Sequence, residues 1–224
     1  MTTHALSPGH SLTTTPKAGI AITPVIRPAY FDDVSAILDL HSRAFSDTFG
    51  GAFGHNQIER GVQALTTAWQ RQGPAALRGM LVAEHDGRLI GTTTLRTSEM
   101  GAFDAGVAEQ AFQEVLGHWR ATRSLFALSL IDHQIGRYEG FLTDVAVQEG
   151  YRRGGVARAL LARAEEEARA RHKRFLGLYV SAGNTGACKL YQQLGFVAAG
   201  TRRSLFSWLL FGQGTWYYLR KSLL

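Results

Sequence analysis

The plainest chemistry in this sequence lies in the octapeptide YRRGGVAR, Tyr151 to Arg158. Gly154 and Gly155 let the backbone approach another group closely, and Arg152, Arg153 and Arg158 favour negative charge in that group. Directly after it, Val156, Ala157, Leu160, Leu161, Ala164 and Ala168 form one apolar stripe, and Glu165 can pair with Arg169 a turn later. The octapeptide therefore opens a helix, where unpaired N–H groups and the positive end of the dipole suit an anion. A basic turn that merely joins two elements would have the same local sequence.

A second group of residues extends the pattern. GFLTDVAV is an apolar strand running straight into the octapeptide; it carries Asp144, and Glu139 stands just before it. Beyond the helix, RFLGLYV is another apolar strand. Asn184 then caps a short helix with Ala187, Leu190, Tyr191 and Leu194 on one face, Gly195 ends it, and Phe196 leads into a further strand. Each part is common, but the ordered series is far rarer than any one of them.

The rest of the chain must position these groups. PVIRPA reads as a short strand, and DDVSAILDLHSRAF as a helix with Val34, Ile37, Leu38, His41 and Phe45 on one stripe. The glycine-rich FGGAFG reads as a loop, followed by a helix with Ile58, Val62, Leu65 and Trp69 in register. GMLVAEHDGRLIGTTTLRT gives two strands about a turn at Asp86 and Gly87. In residues 98–138, Ala108, Phe112, Val115 and Trp119 recur at helical spacing, and SLFALSLI adds a second apolar patch; the segment reads as a helical insertion between strands.

At 224 residues the chain suits one domain, over 24–224, after a loose tail at 1–23 rich in Ser, Thr, Gly and Pro. That tail has neither the apolar core of a signal peptide nor the arginines of a transit peptide. A single cysteine, Cys188, excludes an internal disulfide, and no CxxC or His/Cys cluster suggests a metal, so a reducing, cytoplasmic setting is expected. The apolar run near the C-terminus is broken by Gly212, Gln213 and Gly214 and falls short of the ~20 residues of a spanning helix. Residues 1–150 carry 11 basic against 15 acidic side chains, whereas residues 151–224 carry 13 against 3. The C-terminal third is thus suited to an anion. Its basic positions lack the interleaved aromatics of a nucleic-acid stacking platform.

From about Gly140 to Thr201 the sequence resembles the GNAT superfamily of N-acetyltransferases. Arg152, Gly155 and Ala157 match that family's pyrophosphate motif in register, and Asn184, Ala187, Leu190, Tyr191, Gly195 and Phe196 match its later pattern. Gly154, before the motif glycine, departs from the family's usual small or basic residue and makes the loop more flexible. The resemblance implies an α/β fold, a mixed, mostly antiparallel twisted sheet flanked by helices, with acetyl-CoA in a splay between two strands. The main chain of Val145, Ala146 and Val147 would hold the pantetheine arm, with Asn184 and Tyr191 also lining the coenzyme site. The amides of Arg153, Gly154, Gly155, Val156, Ala157 and Arg158, with Arg152, would hold the pyrophosphate.

The implied reaction is acetyl transfer to a primary amine, a small molecule or a protein amino group, by direct attack. Tyr191 matches the family's general acid, a phenol of ordinary pKa near ~10. Taking a lysine-like amine to its neutral form at pH 7 costs roughly 4 to 5 kcal/mol, so a base is expected. Glu139 and Asp144 are the candidates, with opposite parity along the strand, so that only one of them can face the site. A glutamate found in some relatives is replaced by Tyr179, and His133 ranks behind both carboxylates as a structural or exposed side chain. The acceptor cleft is implied at roughly 45–60 and 202–214, with 98–138 adding a wall or a homodimer contact. A coenzyme-binding sensor without catalysis and a nucleic-acid module are the alternative readings.

Overall fold

The computed structural model describes residues 23–101, 104–130 and 133–224. All but the last residue of the expected tail lies outside them. One sheet contains β1 (Val25–Pro28), β2 (Met80–His85), β3 (Arg88–Thr97), β4 (Glu139–Val147), β5 (Phe175–Ser181), β6 (Val197–Arg203) and β7 (Thr215–Ser222), in the order β1-β2-β3-β4-β5-β7-β6. Every pairing is antiparallel except β4 with β5. The helices are α1 (Val34–Ala44), α2 (Ser46–Phe53), α3 (Ile58–Gln72), α4 (Ala105–Leu116), α5 (His118–Ser129), α6 (Val156–Ala170), α7 (Thr185–Gln193) and α8 (Leu205–Phe211). This is the α/β architecture expected from the sequence.

Local signals account for much of it. Asp86 and Gly87 both take positive φ, 49° and 70°, as the tight β2–β3 turn requires. The stripe of α6 is buried as its spacing demands, with Val156, Leu160, Leu161, Ala164 and Ala168 packed on Leu142, Leu176 and Leu178 of the sheet. Burial of each such leucine stabilises the fold by about 1.5–3 kcal/mol. On the opposite face, Val34, Ile37 and Leu38 of α1 pack on Met80 and Val82 of β2.

Two sequence expectations fail. FGGAFG is not a loop; it forms most of α2, with Gly50 and Gly51 buried. A Cβ at Gly50 would strike the His55 ring, and one at Gly51 would strike the Leu210 carbonyl and the Phe211 ring. Gly50 therefore makes room for His55 and Gly51 for close packing of α2 against α8, which outweighs their poor helix propensity of about 1 kcal/mol each. The stripe through Trp119 is also broken: α4 ends at Gly117, φ 79°, and Trp119 falls on α5, 83% exposed.

Helices α2, α3, α4, α5 and α8 enclose a second apolar core through Phe49, Phe53, Ala64, Phe112, Ala121 and Phe211. That core lies apart from the main one beneath α6 and α7.

Candidate active site

Strands β4 and β5 pair over only four residues each, Glu139–Leu142 with Phe175–Leu178, and then part. Beyond Leu178, β5 continues beside β7, which leaves the edge of β4 from Thr143 to Val147 without a β5 partner. Unpaired backbone donors and acceptors of this kind call for a ligand or water. At the far end of β4, Arg152 Nε donates to the Val147 carbonyl at 3.2 Å.

The chain then enters α6 through a tight cradle. Arg153 and Gly155 take left-handed φ of 65° and 89°, and the helix has no side-chain cap. The first helical amide to find a backbone acceptor is that of Ala159, on Gly155, so the N–H groups of Val156, Ala157 and Arg158 have no acceptor among the described residues. A Cβ on Gly155 would meet nothing within 4 Å. Free amides, a left-handed nest and an open glycine fit a phosphate-bearing ligand.

Tyr191, on α7, is 6% exposed and packs edge-on against Phe196 at 5.7 Å. Its hydroxyl bonds to no described residue but is not sealed off, since the enclosed unpaired side-chain atom among the described residues is Gln72 Oε1. Burial, with a smaller effect from Cys188, pushes the phenol up, so it stays protonated and able to donate. Asn184 caps α7, its Oδ1 accepting from the Ala187 amide at 3.1 Å. Cys188 is half-buried, with Sγ 3.8 Å from the Ser181 carbonyl.

The alternation expected to separate Glu139 from Asp144 is broken by a bulge. Thr94 pairs with Thr143 but Thr92 with Ala146, so β4 carries one extra residue, and Asp144 takes φ 56°. Gly140 and Leu142 face α6, which puts Glu139, Phe141 and Thr143 on the other face. The bulge brings the Asp144 carboxylate to that same face, where Oδ2 accepts from Thr94 and Thr143, each at 2.8 Å. Thr92 gives its hydroxyl proton to the Asp144 carbonyl at 2.9 Å, so the His41 Nε2–H must be the donor in the 2.9 Å contact with Thr92 Oγ1. Desolvation lowers the His41 pKa, partly opposed by Asp144, and the imidazole is neutral.

Glu139 is 4% exposed and lies at the closed end of the β4–β5 pair. Its Oε1 accepts from the Tyr218 hydroxyl at 2.5 Å and contacts His133 Nε2 at 3.0 Å, while Oε2 accepts from the Gly136 amide at 3.0 Å. Gly177 makes the room, since a Cβ there would collide with Glu139 and Tyr218. The His133 ring stacks on Phe141 with centroids 4.2 Å apart and meets Tyr179 and Tyr218 at 5.5 Å each. Far from being a stray surface side chain, His133 is 17% exposed and covers the point where the strands part.

The family model described as the acetyltransferase (GNAT) family matches residues 35–196. The chain belongs to the GNAT acetyltransferase family. No curated protein matches it by sequence. Among solved structures it is similar to an acetyltransferase with TM-score 0.60 and 23% identity, covering 89% of this chain and 100% of that one. A ribosomal-protein-alanine N-acetyltransferase from Brucella melitensis gives 0.53 and 22%, covering 88% and 99%. A PaiA N-acetyltransferase from Thermoplasma acidophilum in complex with coenzyme A gives 0.57 and 14%, covering 90% and 99%. At these identities the likeness is one of fold.

Within this GNAT fold the sequence-derived candidates fall into two groups. Val145, Ala146, Val147, the Arg152–Arg158 cradle, Asn184 and Tyr191 follow one another from the open edge of β4 to α7. Glu139 and Asp144 share the other face without touching, and local pattern alone did not pair them with His133, Tyr218, Gly177, Thr92, Thr94 and His41. The nearest usable signal was His133 standing six residues before Glu139. Among the described residues, no group of three or more His, Cys, Asp or Glu could hold a metal ion, and no helix is long and apolar enough to cross a membrane.

Proposed function

We propose that this GNAT protein transfers the acetyl group of acetyl-CoA to a primary amine by direct attack in a ternary complex. The observation that carries the reading is the four-residue β4–β5 pairing that opens beside the uncapped, glycine-led start of α6. Bound there, acetyl-CoA would supply an activated acyl thioester. The main chain of Val145 and Val147, left without β5 partners, pairs with its pantetheine arm, and the amides of Val156, Ala157 and Arg158 hold its pyrophosphate. Arg152, Arg153 and Arg158 add positive potential, and Asn184 keeps α7 in place so that Tyr191 reaches the sulfur side.

Tyr191, with its phenol pushed up by burial, stabilises the departing thiolate chiefly by donating a hydrogen bond. Glu139 and Asp144, on the opposite face, draw a cationic amine toward the parted strands. Direct attack is favoured over an acyl-cysteine because Cys188 has no imidazole or carboxylate hydrogen-bonded to it among the described residues.

The test is thiol release from acetyl-CoA across an amine panel, with coenzyme binding followed by calorimetry. Lysine, polyamines, aminoglycosides, small amines and amino acids belong in the panel. So does a peptide with an N-terminal alanine, since the Brucella melitensis neighbour is a ribosomal-protein-alanine N-acetyltransferase. Turnover with one amine class supports the reading. Tight acetyl-CoA binding without release from any amine would instead support a sensor or scaffold.

A further inference from the structure

The acyl-transfer reading leaves open which group takes the proton from the amine, and both carboxylates proposed from the sequence already accept hydrogen bonds from the protein. Glu139 has Oε1 engaged by Tyr218 and His133 and Oε2 by Gly136, with the side chain 5% exposed. Asp144 Oδ2 is occupied by Thr94 and Thr143.

We infer that His133 is the proton acceptor for the amine and that Glu139 is the positioning residue that holds it for this task. This rests on the acyl-transfer reading. Tyr218 is held protonated, because burial first and Glu139 second push its phenol up, so its O–H must donate to Glu139. A carboxylate that accepts this bond can only accept from the imidazole as well, which fixes the proton of neutral His133 on Nε2. The lone pair is then on Nδ1. That atom bonds to no described residue and is not among the fully enclosed unpaired atoms of the described residues, so a ligand or water can reach it.

The ring is locked by its stacking on Phe141 and by Tyr179 and Tyr218 beside it, directly over the place where β4 leaves β5. A carboxylate orienting an imidazole whose second nitrogen faces the reactant is the arrangement general-base catalysis requires. Among the described residues, the titratable groups touching the ring are Glu139 from β4, Tyr179 from β5 and Tyr218 from β7, with Arg220 acting on Tyr218 in turn, and Arg96 of β3, paired with Phe141 in register, shares their face.

The steps balance. His133 Nδ1 removes one proton from the ammonium form of the acceptor and releases it to solvent. The amine nitrogen bonds to the acyl carbon as the carbon–sulfur bond breaks and its electron pair leaves with sulfur. The second proton lost by nitrogen ends on the thiolate, by way of Tyr191 or water.

The experiment compares wild type, His133→Ala and Glu139→Gln with acetyl-CoA and the amine found in the panel. Calorimetric acetyl-CoA affinity and imidazole ¹⁵N spectra are measured on the same samples. His133→Ala should lose about 10²- to 10⁴-fold in kcat with unchanged acetyl-CoA affinity. It should also regain rate on addition of free imidazole. Glu139→Gln should shift the His133 spectrum away from the Nε2–H tautomer and lower kcat less than His133→Ala does. In an active wild type, a His133→Ala kcat within a few-fold of normal, or a wild-type ring protonated on Nδ1 when neutral, overturns the assignment and leaves acyl transfer standing. Wild type that binds acetyl-CoA yet acetylates no amine overturns both.

Discussion

The two faces of the sheet are built by different kinds of sequence information. Under α6 and α7, each element is specified by its neighbours in the chain: a glycine at a left-handed start, a 3.6-residue stripe, an asparagine cap. On the other face the key contacts are long-range. Arg123 to Gly51 and Ser124 to Ala52 each span 72 residues, and Tyr218 reaches Glu139 across 79. The first face fits a constant cosubstrate, read mainly by main-chain groups. The second presents side chains, which under the proposed reading would set acceptor choice.

The strongest way to break this contrast is Gly155→Glu. The side chain would project into the open cradle, where a carboxylate opposes a pyrophosphate by both volume and charge. The expected outcome is loss of measurable acetyl-CoA binding by calorimetry, with a melting temperature lowered only by the left-handed strain of roughly 1–2 kcal/mol. Gly155→Ala carries the strain without the charge and should retain most affinity. Wild-type affinity in the glutamate variant would remove the cradle from the coenzyme site.

Next in size is Tyr191→Phe, which removes one oxygen from a residue already packed against Phe196. A loss of about 10²-fold in kcat with acetyl-CoA affinity unchanged is expected. Because burial holds the phenol protonated, wild type should show no alkaline limb from Tyr191 below about pH 10. A variant that melts earlier but keeps its kcat would reduce Tyr191 to a packing role.

What was legible in the sequence follows the same division. The cradle, the α6 stripe and the α7 cap needed only positions close in sequence. FGGAFG was misread because glycine signals a turn locally, whereas here it permits contact with α8, about 160 residues later. The parity of Glu139 and Asp144 was misjudged because a bulge is a property of two paired strands, and β3 supplies the mismatch. The contacts of His133 were out of reach for a like reason: its partners on β5 and β7 lie more than 40 residues away.

A test confined to the second face is Gly51→Ala. The new Cβ meets the backbone of Leu210 and the ring of Phe211, so either α2 or α8 must move. Overpacking of this kind costs about 1–3 kcal/mol, offset by up to ~1 kcal/mol of helix propensity. Denaturant unfolding should show a net loss of about 1–2 kcal/mol, and acceptor KM should rise while acetyl-CoA affinity holds. Equal weakening of acceptor and coenzyme would mean that the two faces are mechanically coupled.

The smallest effect expected is a pH dependence from His41, which ties α1 to the bulge through Thr92 and the Asp144 carbonyl. Burial lowers its pKa below the ordinary value of 6.5, so below that pH the unfolded chain takes up a proton that the native state refuses. Its contribution to stability is therefore complete above about pH 6.5 and declines as the pH falls, with Asp144 tempering the decline. His41→Gln can keep an N–H aimed at Thr92 and cannot titrate. Unfolding curves of the two proteins should run in parallel from pH 8 to about 6.5 and then diverge, with wild type losing stability faster toward pH 5. Parallel curves throughout would mean that the folded protein protonates His41 without penalty, and that the neutral His41–Thr92–Asp144 chain is not what holds the bulge.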